Sequence, residues 1–221
     1  MNIIVTGVSS GIGFETARVL ATQGHKVLGI SRSEPGGTNP FSFLPFDLSG
    51  DNISQFVNEK VKPVFPHVDA LVNNAAVLIN KPFEMITRED LLNVYSVNVF
   101  AVFSIVQSLL PLMREGSHIV NISSMGGITK TQKFPGLTAY SSSKGALSIF
   151  TECLAVELQA RKISVNALAL GAVQTEMLAR AFPGFKGGAS VTQIGEFVAD
   201  FVVNGGKKNT GKVVEVSLSS P

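Results

Sequence analysis

Three glycines, Gly7, Gly11 and Gly13, join an apolar run, Asn2-Ile3-Ile4-Val5-Thr6, to an amphipathic stretch that opens at Gly11. This arrangement of strand, glycine turn and helix constrains the chain more than any other feature. Backbone N–H groups at a helix start, reinforced by the helix dipole, suit a pyrophosphate, provided no Cβ blocks the approach. Glycines also serve ordinary tight turns, and a lone glycine pattern would mean little. Here the strand–turn–helix context favours the phosphate reading. The spacing is four residues and then two, which differs from the common G-x-G-x-x-G dinucleotide fingerprint.

The remaining chain repeats a short apolar run, a turn and a longer amphipathic stretch. Strands are expected at Asn2–Thr6, Lys26–Ser31, Phe41–Phe46, Ala70–Asn73, His118–Ser123, Ser164–Ala169 and Val213–Ser217. Helices are expected at Gly11–Gln23, Asp51–Val61, Thr87–Arg114, Ala139–Arg161 and Thr192–Val203. Alternation of this kind, with strands apolar along their whole length, implies an α/β fold. The expectation is a doubly wound, Rossmann-type parallel sheet of about seven strands in a single domain, residues 1–221. Two segments break the rhythm. Arg32 to Pro40 is too short and too rich in Gly and Pro for a crossover helix. After Thr175 a short helix and a glycine-rich stretch, about 176–191, fit a mobile flap.

Composition excludes several classes. A net charge of +2, scattered basic residues and no Trp argue against nucleic acid. No basic segment precedes the first apolar run, and the nearest approach to a membrane span, Val94 to Met113, is interrupted by Asn98, Ser104, Gln107 and Ser108. A cytoplasmic protein without membrane contact is expected. Mean hydropathy of +0.30 with 15% charged residues suggests apolar surface buried between subunits, in a homodimer or homotetramer. Cys153, the sole cysteine, reads as a packed core thiol. His25, His67 and His118 show no metal-ligand spacing, and no metal is expected.

Tyr140 and Lys144 sit four residues apart in an expected helix, so their Cβ atoms lie about 5–6 Å apart on one face. Lowering a phenol from its ordinary pKa near 10 to neutrality requires about 4 kcal/mol. A cation about 5 Å away contributes roughly 3 kcal/mol at an effective dielectric near 20. Lys144 is therefore expected to draw Tyr140 down toward proton-transfer range. The alternative is an ordinary surface pair, and the upstream glycine turn favours the catalytic reading.

Thr6-Gly7-Val8-Ser9-Ser10-Gly11-Ile12-Gly13 resembles the T-G-x-x-x-G-I-G signature of short-chain dehydrogenases/reductases, and the likeness runs along nearly the whole chain. Asp47-Leu48 looks like that family's adenine-contacting pair. Asn73-Asn74-Ala75-Ala76 resembles N-N-A-G, with Ala76 for Gly. Asn121-Ile122-Ser123-Ser124 precedes the Tyr140/Lys144 pair. Asn166-Ala167-Leu168-Ala169-Leu170-Gly171 resembles N-x-x-x-P-G, with Leu170 for Pro. The chain ends Leu218-Ser219-Ser220-Pro221, without the family's common Gly-Gly. The resemblance implies a nicotinamide coenzyme held by Gly7, Ser9, Ser10, Gly11, Ile12, Gly13, Ser31, Arg32, Asp47, Leu48, Asn74, Ala75, Tyr140, Lys144, Gly171, Val173 and Thr175. It implies Tyr140 as proton donor, Lys144 also on the nicotinamide ribose, and Ser124 on the substrate oxygen, with Ser123 its rival. Asn98 matches the family residue that holds a relay water, or else is a buried Asn bonded to backbone.

An acidic residue ending the second strand would bond the ribose of NAD; this chain has Ser31 and then Arg32. Arg32 suits a 2′-phosphate, so NADP(H) is expected over NAD, the alternative being a solvated loop Arg. The resemblance implies an oxidoreductase interconverting a carbonyl and an alcohol on a small-molecule substrate. Phe182 and Phe185 could line the pocket. A 3-oxoacyl-carrier-protein reductase is the alternative, but of its two basic docking positions one carries Arg161 and the other Glu115. A non-catalytic NADP(H)-sensing regulator need not keep Ser124, Tyr140 and Lys144 together. A sugar-nucleotide epimerase would expect G-x-x-G-x-x-G and a longer chain.

Overall fold

A computed structural model describes residues 1–217; Leu218 to Pro221, the segment without Gly-Gly, lie outside the described residues. The strands are β1 (Asn2–Thr6), β2 (Lys26–Ser31), β3 (Ser42–Pro45), β4 (Val68–Asn73), β5 (Met113–Ser124), β6 (Ser164–Leu170) and β7 (Lys212–Val216). They form one seven-stranded sheet in the order β3-β2-β1-β4-β5-β6-β7, and every pairing is parallel. The order reverses between β1 and β4, the place where such sheets open a crevice beyond their carboxyl ends.

Helices cover both faces: α1 (Gly11–Thr22), α2 (Ile53–Phe56), α3 (Arg88–Tyr95), α4 (Ala101–Leu109), α5 (Thr138–Glu157), α6 (Glu176–Ala181) and α7 (Val191–Asn204). Alternate residues of each strand feed two cores. Ile4, Leu71, Ile119 and Val165 join Ile105 and Leu147 of α4 and α5 on one face. Ile3, Val5, Ala70 and Val120 join Leu20 and Val198 of α1 and α7 on the other. The second layer closes because α7 presents a glycine to α1: a Cβ on Gly195 would fall 2.4 Å from Glu15 Cγ.

Several boundaries differ from expectation. The expected helix Asp51–Val61 starts at Ile53 and passes into a π-turn, Val57–Val61. The expected Thr87–Arg114 helix contains a π-turn, Ser96–Phe100, and ends in a 3-10 turn, Leu110–Leu112, because Pro111 cannot continue the ladder. The continuous helical stretch Arg88–Leu112 is long and apolar enough, by length and composition, to cross a membrane, a longer run than was read from sequence; 44% of its most apolar window is buried inside the fold. Cys153 is exposed, which corrects the core assignment: it shares an outward stripe of α5 with Ile149 and Val156. His118 is buried, with Nδ1 3.0 Å from the Val202 carbonyl and Nε2 3.0 Å from Asn166 Nδ2. Among the described residues, no group of three or more His, Cys, Asp or Glu side chains gathers to hold a metal.

Candidate active site

The turn between β1 and α1 requires glycine at particular points. Gly7 has φ +73° and Gly11 φ +63°, a region that side chains disfavour. A Cβ on Gly13 would fall 2.3 Å from both Asn74 Nδ2 and the Gly7 carbonyl. Asn74 is the reason for that closeness: its Nδ2 donates to the carbonyls of Thr6 at 2.9 Å and Gly7 at 3.1 Å. Thr6, absent from the expected set, completes the clamp. Its hydroxyl accepts the N–H groups of Asn74 at 3.0 Å and Ala75 at 3.1 Å, so the ends of β1 and β4 are fixed together. Ser10 stands at the start of α1 in extended conformation and makes no side-chain cap. The helix therefore opens toward solvent-side ligands, with Ser9 and Ser10 both exposed.

A cavity of about 400 Å³ extends from this turn along the carboxyl ends of the strands. Every residue expected to hold coenzyme lines it except Gly13, which lies beneath the turn. Of the four expected catalytic residues only Asn98 stays outside. Asn98 is buried in the π-turn; its Oδ1 accepts from Val77 N at 2.8 Å and its Nδ2 donates to the Val77 carbonyl at 3.0 Å and to Ser143 Oγ at 2.9 Å.

Tyr140 and Lys144 occupy the first turns of α5, beside the end of β5. Lys144 is 2% exposed, its Nζ 5.8 Å from the centre of the Tyr140 ring and donating to the Ile122 carbonyl at 2.7 Å. Burial pushes the ammonium down to about 8. Burial also pushes the Tyr140 phenol up to about 12, with a hydrogen bond from Ser124 pulling the other way. This corrects the expectation from spacing alone. The site takes Lys144 fully and Tyr140 partly out of water, and desolvation outweighs the pair attraction. Ser124 Oγ also accepts from Gly126 N at 3.2 Å. Ser123 instead donates to the Lys144 carbonyl at 3.0 Å and lies 3.0 Å from Ser148 Oγ, within the packing of β5 on α5.

At the far end of the cavity, Ser31 donates to the Ser33 carbonyl at 2.8 Å, and Arg32 is exposed. Asp47 accepts from Ser49 N at 2.9 Å; that bond, and in smaller part the Arg32 charge, hold its carboxyl below the ordinary range. Leu48 is buried beneath it. Gly171 donates to the Val216 carbonyl at 2.8 Å, and Thr175 caps α6 by accepting from Leu178 N at 3.1 Å.

Sequence reading missed the opposite wall of the cavity. Leu78, Phe134 and Leu137 line it, together with Met177 and the expected Phe182 and Phe185. The segment after β4 ties this wall together: Asn80 Nδ2 donates to the Ala181 carbonyl at 2.7 Å and Lys81 N to the Gly136 carbonyl at 3.0 Å. The pair expected to flank the site for carrier docking does not do so within this chain. Glu115 stands near the start of β5 and Arg161 follows the end of α5, each at the end remote from Ser124 and Tyr140. Arg161 donates to the Leu110 carbonyl at 2.6 Å, and Glu115 pairs with Lys162 at 2.8 Å.

The arrangement offers an anion cradle, an elongated cavity and a phenol, hydroxyl and ammonium converging at its middle. The short chain dehydrogenase family model matches residues 1–184. A fatty acyl-CoA reductase of Acinetobacter baylyi is 33% identical over 192 residues, covering 80% of this chain; the chain spans only 63% of that relative's length. Carbonyl reductase (NADPH) 2 of Sus scrofa is 35% identical over 190 residues, covering 80% of this chain and 73% of that protein. The crystal structure of 3-ketoacyl-(acyl-carrier-protein) reductase from Brucella melitensis, complexed with NADH, superposes with a TM-score of 0.86 at 26% identity, over 97% of this chain and 96% of that one.

Proposed function

The chain belongs to the short-chain dehydrogenase/reductase family, and on that premise we propose that it is an oxidoreductase interconverting a carbonyl and an alcohol on a small molecule with a nicotinamide coenzyme, NADP(H) in preference to NAD(H). The observation that carries the reading is convergence: Ser124, Tyr140 and Lys144 line the same cavity that the glycine turn opens onto. A dinucleotide fits the residues present, because the turn is closed to any Cβ at Gly7 and Gly13 yet open at its helix start.

When bound, the nicotinamide supplies a hydride to the carbonyl carbon, or accepts one from the alcohol. Ser124 donates a hydrogen bond to the substrate oxygen and orients it. Tyr140 passes its phenolic proton to that oxygen as the C=O π bond becomes C–O–H, and takes it back in the reverse direction. A phenol pushed up to about 12 is fully protonated at neutral pH, ready to donate. Lys144 steadies the phenolate that donation leaves, and would hold the nicotinamide ribose. Asn98 fixes the Val77 backbone behind the site and holds Ser143 on α5, one residue before Lys144. Residues 176–191 act as the substrate flap, and the working unit is a homodimer or homotetramer.

Arg32 and Asp47 lie at the adenosine end. Arg32 suits a 2′-phosphate, the basis for preferring NADP(H). The likeness to a carrier-protein reductase gives a second reading, but Arg161 and Glu115, at the remote end of α5 and β5, argue against a carrier docked beside this chain's own site. The test is oxidation of NADPH by the purified chain across a panel of carbonyls of graded size. Turnover of several supports the reading; coenzyme binding with no turnover of any carbonyl or alcohol overturns it in favour of a sensor.

A further inference from the structure

Resting on the carbonyl–alcohol reading above, we propose that the substrate is an uncharged ketone bearing an aromatic or alicyclic ring, or the corresponding secondary alcohol. The ring would sit between Leu137 and the flap.

The substrate end of the cavity is walled by Leu78, Phe134, Leu137, Met177, Phe182 and Phe185. Flat rings pack against phenylalanine in offset or edge-to-face fashion, and each such contact strengthens binding roughly twofold to tenfold beyond the area it covers. Phe134 and Phe185 are each more than half exposed, at 53% and 55%, so their faces remain available to a ligand.

Charge decides against other substrate classes. Four charged residues line the cavity among those described: Arg32, Asp47, Lys144 and Glu176. Arg32 and Asp47 belong to the adenosine end. The Lys144 ammonium is held by the Ile122 carbonyl at 2.7 Å. Glu176 is an anion, already paired with Arg180 at 2.9 Å. Lys130, Lys133 and Lys186 of the adjoining loops are not lining residues, and Lys133 turns its ammonium to the Ile128 carbonyl and to Thr131. Among the described residues that line the cavity, no cation outside the adenosine end and the Tyr140/Lys144 pair is left to receive a substrate carboxylate or phosphate, and a desolvated anion without a partner is strongly disfavoured. The pocket also has a set shape. Asn80 holds the flap through Ala181, and the neighbouring Lys81 holds the 125–137 loop through Gly136.

The experiment compares acetophenone, 4-acetylbenzoate, acetone and an acyl-CoA thioester with the full chain and NADPH. It reads steady-state kinetics, and separately ligand binding by saturation-transfer NMR. The expected result is a kcat/KM for acetophenone at least about 100-fold above that for 4-acetylbenzoate, with saturation transfer to acetophenone alone of the two. Phe134→Ala should lower the ratio of acetophenone to acetone efficiency by about tenfold. Equal or better turnover of 4-acetylbenzoate or of the thioester overturns the substrate class while sparing the carbonyl chemistry. Saturation transfer to acetophenone with no turnover of any carbonyl upholds the pocket's class and overturns the chemistry. No binding and no turnover of any of them overturns both.

Discussion

Lys144 Nζ lies 5.8 Å from the centre of the Tyr140 ring while donating a 2.7 Å hydrogen bond to the Ile122 carbonyl. The cation is thus held by the strand end and presented to the phenol from below. The proposed proton transfer rests on a buried Lys144 beside a half-buried Tyr140, and each consequence can be measured.

Tyr140→Phe removes one oxygen and little volume. Folding and NADPH binding should persist while turnover falls by roughly 10²–10⁴-fold, the usual loss of a general acid. Lys144→Met should lower both turnover and coenzyme affinity. Ser124→Ala should lower turnover mainly, whereas Ser123→Ala, which loses contacts to α5, should show chiefly in stability. Steady-state kinetics, coenzyme titration and urea unfolding separate these outcomes. Near-normal turnover by Tyr140→Phe removes the proton-transfer assignment.

The chain has two tyrosines and no tryptophan, so Tyr95→Phe leaves Tyr140 as the sole phenol. Its tyrosinate absorbance should appear only well above the ordinary pKa near 10, in keeping with the rise to about 12. Saturating oxidised coenzyme adds positive charge nearby and should move the transition downward. A coenzyme-free transition at or below 10 contradicts the dominance of burial.

Stability should depend on pH in a particular sense. Unfolded, Lys144 titrates near 10.5; folded, near 8. Between those values the unfolded chain holds more protons, so stability rises with pH, by a total of about 3 kcal/mol for this group. Below 8 the folded protein carries the buried charge at full cost. Tyr140 acts oppositely above 10, where the unfolded phenol ionises first and stability falls. Urea midpoints of the coenzyme-free protein should therefore climb from pH 8 to about 10, and the climb should flatten in Lys144→Met.

Arg32→Asp should erode a preference for NADPH by repelling the 2′-phosphate and offering NADH a carboxylate. Dissociation constants for both coenzymes, measured by fluorescence, test it. Equal binding by the unmodified protein contradicts the assignment.

Leu91 and Leu92 of α3, Phe100 and Phe103 at α4, and Ile149 and Val156 of α5 are all exposed. A symmetric partner covering these helices would give a dimer or tetramer in sedimentation at micromolar concentration. Cys153 shares that α5 stripe, so thiol reagents should react with it slowly in the assembly and faster on dilution. A monomer of about 23 kDa, readily modified at all concentrations, contradicts this.

The strand–helix rhythm and the two motifs were sufficient to place the sheet, because parallel strands buried on both faces leave continuous apolar runs. The glycine turn was legible for the same kind of local reason. Collective effects were not. The downward push on Lys144 and the upward push on Tyr140 arise from everything packed around them, which spacing along one helix does not report. The outward orientation of Cys153 follows from which face of α5 meets the sheet. Thr6 became visible only once β1 and β4 were side by side, with its hydroxyl receiving the N–H groups of the two residues that follow β4.

All seven strands run in one direction, so the two ends of the molecule have unlike tolerances. The cavity and the residues of the proposed chemistry gather at the carboxyl ends. At the other end Gly24 turns the chain between α1 and β2, with φ +85° and open space where a side chain would begin. The α5 helix, about 30 Å long, separates Tyr140 from that region. A fluorescent label, an affinity tag or new chain termini placed at this turn would leave the cavity untouched, which makes it a handle for immobilising the protein with its site facing solution.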